Sequence, residues 1–229
     1  MKRSAKLLTL AVALFAGFGT STAQAADGGF KIGADLVSSY VWRGTEFGNS
    51  PAVQPAVSYT FPGTGGIVAG FWGSYAINGN SDRYKEVDAY ITVPAGPLSF
   101  TVTDYNVLPN TSNLSNTKAF NFDKDGPNVV EVSVGYASGN LALLAAINVA
   151  GKDTNSAKYC EASYKFYDKD GYSAKGVAGF GNKNWYGDGL SNEFALVNTG
   201  ISVSKDRYTA GYVYNPNTEA SSLVFMASF

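Results

Sequence analysis

Lys85-Glu86-Val87-Asp88-Ala89-Tyr90-Ile91-Thr92-Val93, a link through Ala95-Gly96-Pro97, and then Leu98-Ser99-Phe100-Thr101-Val102 decide the fold. Val87, Ala89, Ile91 and Val93 alternate with Glu86, Asp88, Tyr90 and Thr92. Successive side chains of an extended strand point to opposite faces, so this stretch has one apolar and one polar face. The Gly in the link supplies the positive φ that a tight hairpin requires.

The same unit recurs along the chain about every sixteen to eighteen residues, bounded by Gly, Asn, Asp and Pro. It predicts strands over Phe30–Trp42, Ala52–Phe61, Ile67–Ile77, Lys85–Val93, Leu98–Val107 and Val129–Tyr136. Six more follow over Leu141–Val149, Lys158–Phe166, Tyr172–Gly181, Glu193–Ser204, Arg207–Tyr214 and Glu219–Phe229. After the second strand, every other link is tight: Pro62 to Gly66, Ala95-Gly96-Pro97, Ser138-Gly139-Asn140, Asp168-Lys169-Asp170-Gly171 and Lys205-Asp206. The intervening links are mostly longer and polar, such as Leu108 to Asn128 and Asn182 to Asn192, although the last, near Asn215 to Thr218, is short. One rim of turns and one of loops predict an antiparallel up-and-down transmembrane β-barrel of about twelve strands.

Two faces recur in other strands. Val130, Val132, Val134 and Tyr136 oppose Glu131, Ser133 and Gly135; Cys160, Ala162, Tyr164 and Phe166 oppose Tyr159, Glu161, Ser163 and Lys165. Leu223, Phe225, Ala227 and Phe229 oppose Val224, Met226 and Ser228. A soluble sandwich or lectin-like binder would alternate in the same way. Three details favour the membrane. Tyr and Trp recur at strand ends, among them Tyr40, Trp42, Tyr59, Tyr75, Tyr136, Tyr172 and Tyr214, as in interfacial girdles. The other face is rich in Gly, Ser and Thr, which suits a tight lumen. Phe229 ends the chain on the apolar face, as in substrates of the outer-membrane barrel-assembly machinery.

The first twenty-five residues read as a cleaved signal peptide. Lys2, Arg3 and Lys6 precede the uncharged run Leu7 to Phe18, and Ala23-Gln24-Ala25 forms the small-x-small cleavage site. The apolar run is too short for a spanning helix of about twenty residues. Residues 26–229 are then one domain. Of 17 Lys and Arg, 14 remain against 18 Asp and Glu, a net charge near −4 that gives no footprint for nucleic acid.

Asp35-Leu36-Val37-Ser38-Ser39-Tyr40-Val41-Trp42-Arg43-Gly44, followed by Pro51-Ala52-Val53-Gln54-Pro55-Ala56, resembles the opening of the TorF-type porin family of Gram-negative outer-membrane proteins. Gly70-Phe71-Trp72-Gly73-Ser74, Glu86-Val87-Asp88-Ala89-Tyr90 and Val129-Val130-Glu131-Val132 are similar as well. Here Trp42 stands where the family pattern has Phe, and the loop from Leu108 to Asn128 is long. The resemblance implies a barrel and the label of porin, and no established substrate.

Catalysis is not expected. The chain has no histidine, so the general base of Ser/His and Asp/His hydrolases is missing, and no nucleophile elbow or zinc signature occurs. Asp123-Lys124-Asp125-Gly126 and Asp168-Lys169-Asp170-Gly171 superficially suggest calcium loops. The Glu an EF-hand needs six residues after the Gly is Val132 in one and Val177 in the other, so both read as turns. The lone Cys160 excludes an intrachain disulfide and reads as a small lipid-facing hydrophobe. No cofactor, metal or catalytic residue is expected.

The ionisable groups assigned to the inner face are Lys31, Asp35, Arg43, Glu86, Asp88, Glu131, Glu161, Lys165 and Lys175. Charges inside a barrel either line a water-filled path or pair with one another, and both alternatives stand. Twelve strands enclose more than side chains alone fill, so the lumen is expected to be partly open unless loops or charges block it. The leading expectation is a narrow passive-diffusion porin for small polar solutes. The other is a non-conducting structural or surface-interaction barrel, working through the loop around Trp185-Tyr186 and the long polar loop. Outer-membrane lipid is the expected surrounding.

Overall fold

The computed structural model describes residues 28–78, 83–108 and 119–229. Among them, twelve strands close into one antiparallel up-and-down barrel: β1 (Gly29–Val37) and β4 to β14, every strand pairing with its neighbour in sequence. These are β4 (Ala52–Thr60), β5 (Val68–Ala76), β6 (Lys85–Ala95), β7 (Leu98–Val107), β8 (Asn128–Ser138), β9 (Leu141–Gly151), β10 (Lys158–Lys169), β11 (Tyr172–Asn182), β12 (Phe194–Lys205), β13 (Tyr208–Asn215) and β14 (Ala220–Ser228). The twelve-stranded antiparallel up-and-down barrel expected from the alternation is the architecture found. No helix among the described residues is long and apolar enough to cross a membrane, which says nothing of strands.

Closure is made where β14 meets β1. Asp35, Leu36 and Val37 lie opposite Ser228, Ala227 and Met226, and Phe229 and Ala34 exchange both backbone hydrogen bonds, at 2.9 and 3.2 Å. The ring is closed by a short seam, with β1 running on to Gly29 and β14 to Ala220 beyond the shared stretch. The short-turn rim is built as its residues predict. Asp170 and Gly171 both take positive φ, 55° and 77°, the pattern of a two-residue hairpin turn that matches strand twist.

The two faces follow the alternation. Ile32 is 79% exposed and Leu223 61% on the outside, whereas Glu131 is 2% and Tyr159 1% exposed on the inside. Val87, Ile91, Val93, Tyr164, Phe166, Phe225 and Phe229 also face outward.

The first strand departs from expectation. It ends at Val37, not Trp42, and the connection to β4 folds into the barrel as a hairpin, β2 (Tyr40–Trp42) and β3 (Thr45–Phe47). Ser38 makes the last bond to the wall, its N–H donating to Phe225 O at 2.8 Å. Beyond that point the chain leaves the edge of β14, which runs on to Ala220, and pairs with itself: Tyr40 with Phe47, Val41 with Glu46, Trp42 with Thr45. Tyr40 and Trp42 therefore do not belong to a lipid-facing girdle. Tyr40 is buried inside, and apolar alternation looks alike whether the cover is lipid or lumen.

Candidate functional site

The hairpin crosses the lumen near the long-loop rim. Its tip is a two-residue turn with Arg43 at φ 50° and Gly44 at φ 85°. Gly44 lies against the Val197 carbonyl of β12, where any Cβ would collide with backbone. Val41 packs with Val213 and Val224 on β13 and β14. Tyr40 meets Trp72 of β5 at 5.3 Å between ring centroids, and Trp42 meets Tyr105 of β7 at 5.3 Å and Tyr186 at 5.6 Å. The Ser222 hydroxyl of β14 donates to Glu46 Oε2 at 3.0 Å, and Ser39 donates to the other oxygen of the same carboxylate. The hairpin thus touches β5, β7, β8, β12, β13 and β14.

Arg43 is the centre of these contacts. Its two terminal nitrogens donate to both oxygens of Glu131 on β8, at 2.6 and 2.9 Å, a fork-to-fork pair. One of them also donates to the Tyr186 hydroxyl at 2.9 Å. The guanidinium lies over Trp42 at 4.3 Å and Tyr159 at 4.5 Å, cation–π distances. Glu131 accepts a further bond from Tyr105 at 3.2 Å. The side chains of Arg43 and Glu131 are 7% and 2% exposed, so each charge depends on the other for solvation.

Neighbouring polar groups extend the network. The Tyr159 hydroxyl donates to Glu161 Oε2 at 2.7 Å, and Asn198 Nδ2 donates to both the Tyr159 hydroxyl, at 2.9 Å, and Glu161, at 3.2 Å. Tyr186 ends a single helical turn, α1 (Lys183–Tyr186), and its carbonyl accepts from Asn215 at 2.8 Å. The Trp185-Tyr186 loop, the working part under the surface-interaction alternative, folds over the rim with Tyr186 2% exposed, its hydroxyl and carbonyl finding partners inside.

The remaining expected lumen residues separate along the axis. Asp35 is buried opposite Gln54, and Glu86 and Asp88 are buried on β6, all in the half nearer the hairpin. Tyr84 donates to Glu86 at 3.0 Å, and the Asn106 N–H donates to Asp88 at 3.3 Å. Lys31, Lys165 and Lys175 lie on the inner face towards the short-turn rim, where Lys165 pairs with Asp168 and stands opposite Lys175. Hydroxyls line the same half, with Thr92 bonded to Thr101 and Ser204 to Thr209, both at 2.9 Å. Arg43 and Glu131 are brought together as a forked ion pair, and Glu86 and Asp88 stand side by side on β6.

Above the hairpin opens a cavity of about 840 Å3. Tyr40, Trp42, Phe47, Tyr84, Tyr105, Trp185 and Tyr186 form its aromatic lining, with Glu86, Asp125, Asn148 and Lys152 among the polar groups. Its volume falls in the range of small-molecule sites. Tyr105, Tyr159 and Asn198 were not singled out by sequence; the one available signal was that Tyr159 shares the face of Glu161.

No protein-family model matches the chain, and no curated protein does.

Proposed function

We propose that the protein is a bacterial outer-membrane barrel, exported by its first twenty-five residues, that passes small polar solutes through a narrow lumen gated by its own first long-rim connection. The observation that carries this reading is a polar lumen on both sides of a plug held by a charge pair. A barrel built only as a scaffold could fill its interior with hydrocarbon. Here hydroxyls and lysines line the half below the hairpin, and a wide aromatic and acidic vestibule lies above it.

The exposed outer face, with large apolar side chains on nearly every strand, supports the membrane assignment. In this reading outer-membrane lipid covers that face, the short turns are periplasmic, and Phe229 serves recognition by the barrel-assembly machinery. Kinship with the TorF-type porins belongs to the same proposal and rests on the segment from Asp35 to Gly44. Transport fits better than catalysis, since no histidine is present to act as a base.

A second reading, a non-conducting surface-interaction barrel, is favoured by the hairpin's contact with β5, β7, β8, β12, β13 and β14. Planar-bilayer recording of the refolded mature protein separates the two. The full protein should give small, infrequent conductance steps, and a variant with Tyr40–Phe47 replaced by a short Gly/Ser link should conduct steadily. Silence from both forms would overturn the channel and leave the second reading. Recovery in the periplasm, not in a heat-modifiable outer-membrane fraction, would overturn the localisation.

A further inference from the structure

We infer that the vestibule above the hairpin is a binding site for an organic cation, an ammonium group carried on an apolar or aromatic body. The inference shares with the proposed function a membrane barrel whose vestibule faces solvent, but it does not depend on conduction.

Three observations converge on this ligand class. First, the vestibule floor is a cluster of rings. Tyr40, Phe47 and Tyr84 lie mutually within 5.0 to 5.7 Å between centroids. Ring faces carry negative potential and attract cations stripped of water. The same aromatic wall already does this for one cation of the protein, since Trp42 and Tyr186 hold the Arg43 guanidinium from below.

Second, the charged groups on the wall are mainly acceptors. Glu86 stands at the base of the cluster with the Tyr84 hydroxyl bonded to it, and Asp125 stands on the loop wall. Arg43 is already paired with Glu131, which takes both of its terminal nitrogens. Lys152 is the one cation among the described lining residues.

Third, Asn148 Oδ1 is buried without a hydrogen-bond partner, although Asn148 lines this cavity and is 1% exposed. Its amide orientation is fixed, because Nδ2 donates to Asp153 Oδ2 at 2.9 Å. An acceptor left unpaired in a buried site costs free energy until a donor arrives. An ammonium has N–H donors for an acceptor on this wall, Asn148 or Glu86, and an apolar body for the rings; a carboxylate offers neither a donor nor a favourable charge. A sugar could bond the rings, amides and carboxylates through its faces and hydroxyls but brings no charge to balance theirs.

The test uses 4-phenylbutylamine and 4-phenylbutyrate, which share a body and differ in the sign of charge, with maltotriose as a neutral polyol. Each is titrated into the full mature barrel refolded in detergent, with fluorescence of the vestibule tryptophans and equilibrium dialysis as readouts. The amine should bind saturably, one per barrel, at least about tenfold tighter than the acid, and Glu86→Gln should weaken it about tenfold. Should Glu86→Gln fail to refold, Asp125→Asn on the loop wall should weaken the amine severalfold. Equal binding of amine and acid, binding of maltotriose alone, or unchanged affinity in a folded variant would overturn the inference. A silent bilayer with saturable amine binding would leave it standing while removing the channel.

Discussion

Replacing Arg43 with Met tests the plug most directly. The wild-type guanidinium makes two bonds to Glu131 and one to Tyr186, at 2.6, 2.9 and 2.9 Å. Met fills much of the same volume but leaves Glu131 buried, with the Tyr105 hydroxyl at 3.2 Å as its remaining partner on that side. Breaking a buried ion pair from one side costs about 3–5 kcal/mol, because the abandoned charge stays desolvated. That cost falls on hairpin docking and not on the barrel, since the strand ladder does not use Arg43. Undocking lets water reach Glu131, so the lower end of the range applies, a shift of roughly 100-fold in the docked-to-undocked ratio. Single-channel recording should show the open fraction rising by that order, and amide exchange over Tyr40–Phe47 should accelerate in parallel. Arg43→Met combined with Glu131→Leu removes both charges and should restore most of the docking. Unchanged open fraction and unchanged exchange in Arg43→Met would refute the view that this pair holds the hairpin.

Gly44→Ala combines a positive φ with a collision against the Val197 carbonyl, so the tip should unseat while the barrel remains heat-modifiable; exchange over the hairpin checks this. Tyr186→Phe removes one hydroxyl bond to Arg43 and should shift docking by about 0.5–1.5 kcal/mol, visible as a smaller rise in open fraction than Arg43→Met gives. Ile91→Arg puts a charge on the outward face of β6 and should cost about 2–4 kcal/mol in lipid if it lies near mid-bilayer, read as a lower midpoint for urea unfolding from vesicles; a neutral result would count against a lipid-facing belt. Outside the strands, the hydrogen bond between Lys183 and Glu193, at 2.9 Å, holds the lysine pKa up and the carboxylate pKa down. The Glu193 contribution is present above the ordinary carboxylate range and lost as pH falls through its depressed pKa, while that of Lys183 is lost as pH rises through its raised pKa. NMR titration should find the Glu193 midpoint below that of a free Glu and returned to it in Lys183→Met.

Much of the plug was visible locally without its position being visible. Tyr40-Val41-Trp42-Arg43-Gly44-Thr45-Glu46-Phe47 is a hairpin signature, β-forming residues around a two-residue turn ending in Gly. From sequence it reads as the end of a strand, because no Gly or Pro interrupts the chain between Ala34 and Arg43. Parity alone assigns Lys31, Asp35, Glu86, Asp88, Glu131, Glu161, Lys165 and Lys175 inward, and Asp35, Glu86, Asp88 and Glu131 are buried. Parity says nothing of height or partner, which is why the pairing of Arg43 with Glu131 was not legible.

The sequence by itself determined the strands, their two faces, the rims of turns and loops, and hence the barrel, because all of these depend on neighbours one or two residues apart. The tertiary structure alone decided where the first connection goes. Arg43 and Glu131 are 88 residues apart, and they meet only because closure of the barrel puts β8 across from the first connection. A loop turns inward when the enclosed space is wide enough for it and the facing walls offer partners for its charges. Both conditions belong to the closed ring and to none of its strands.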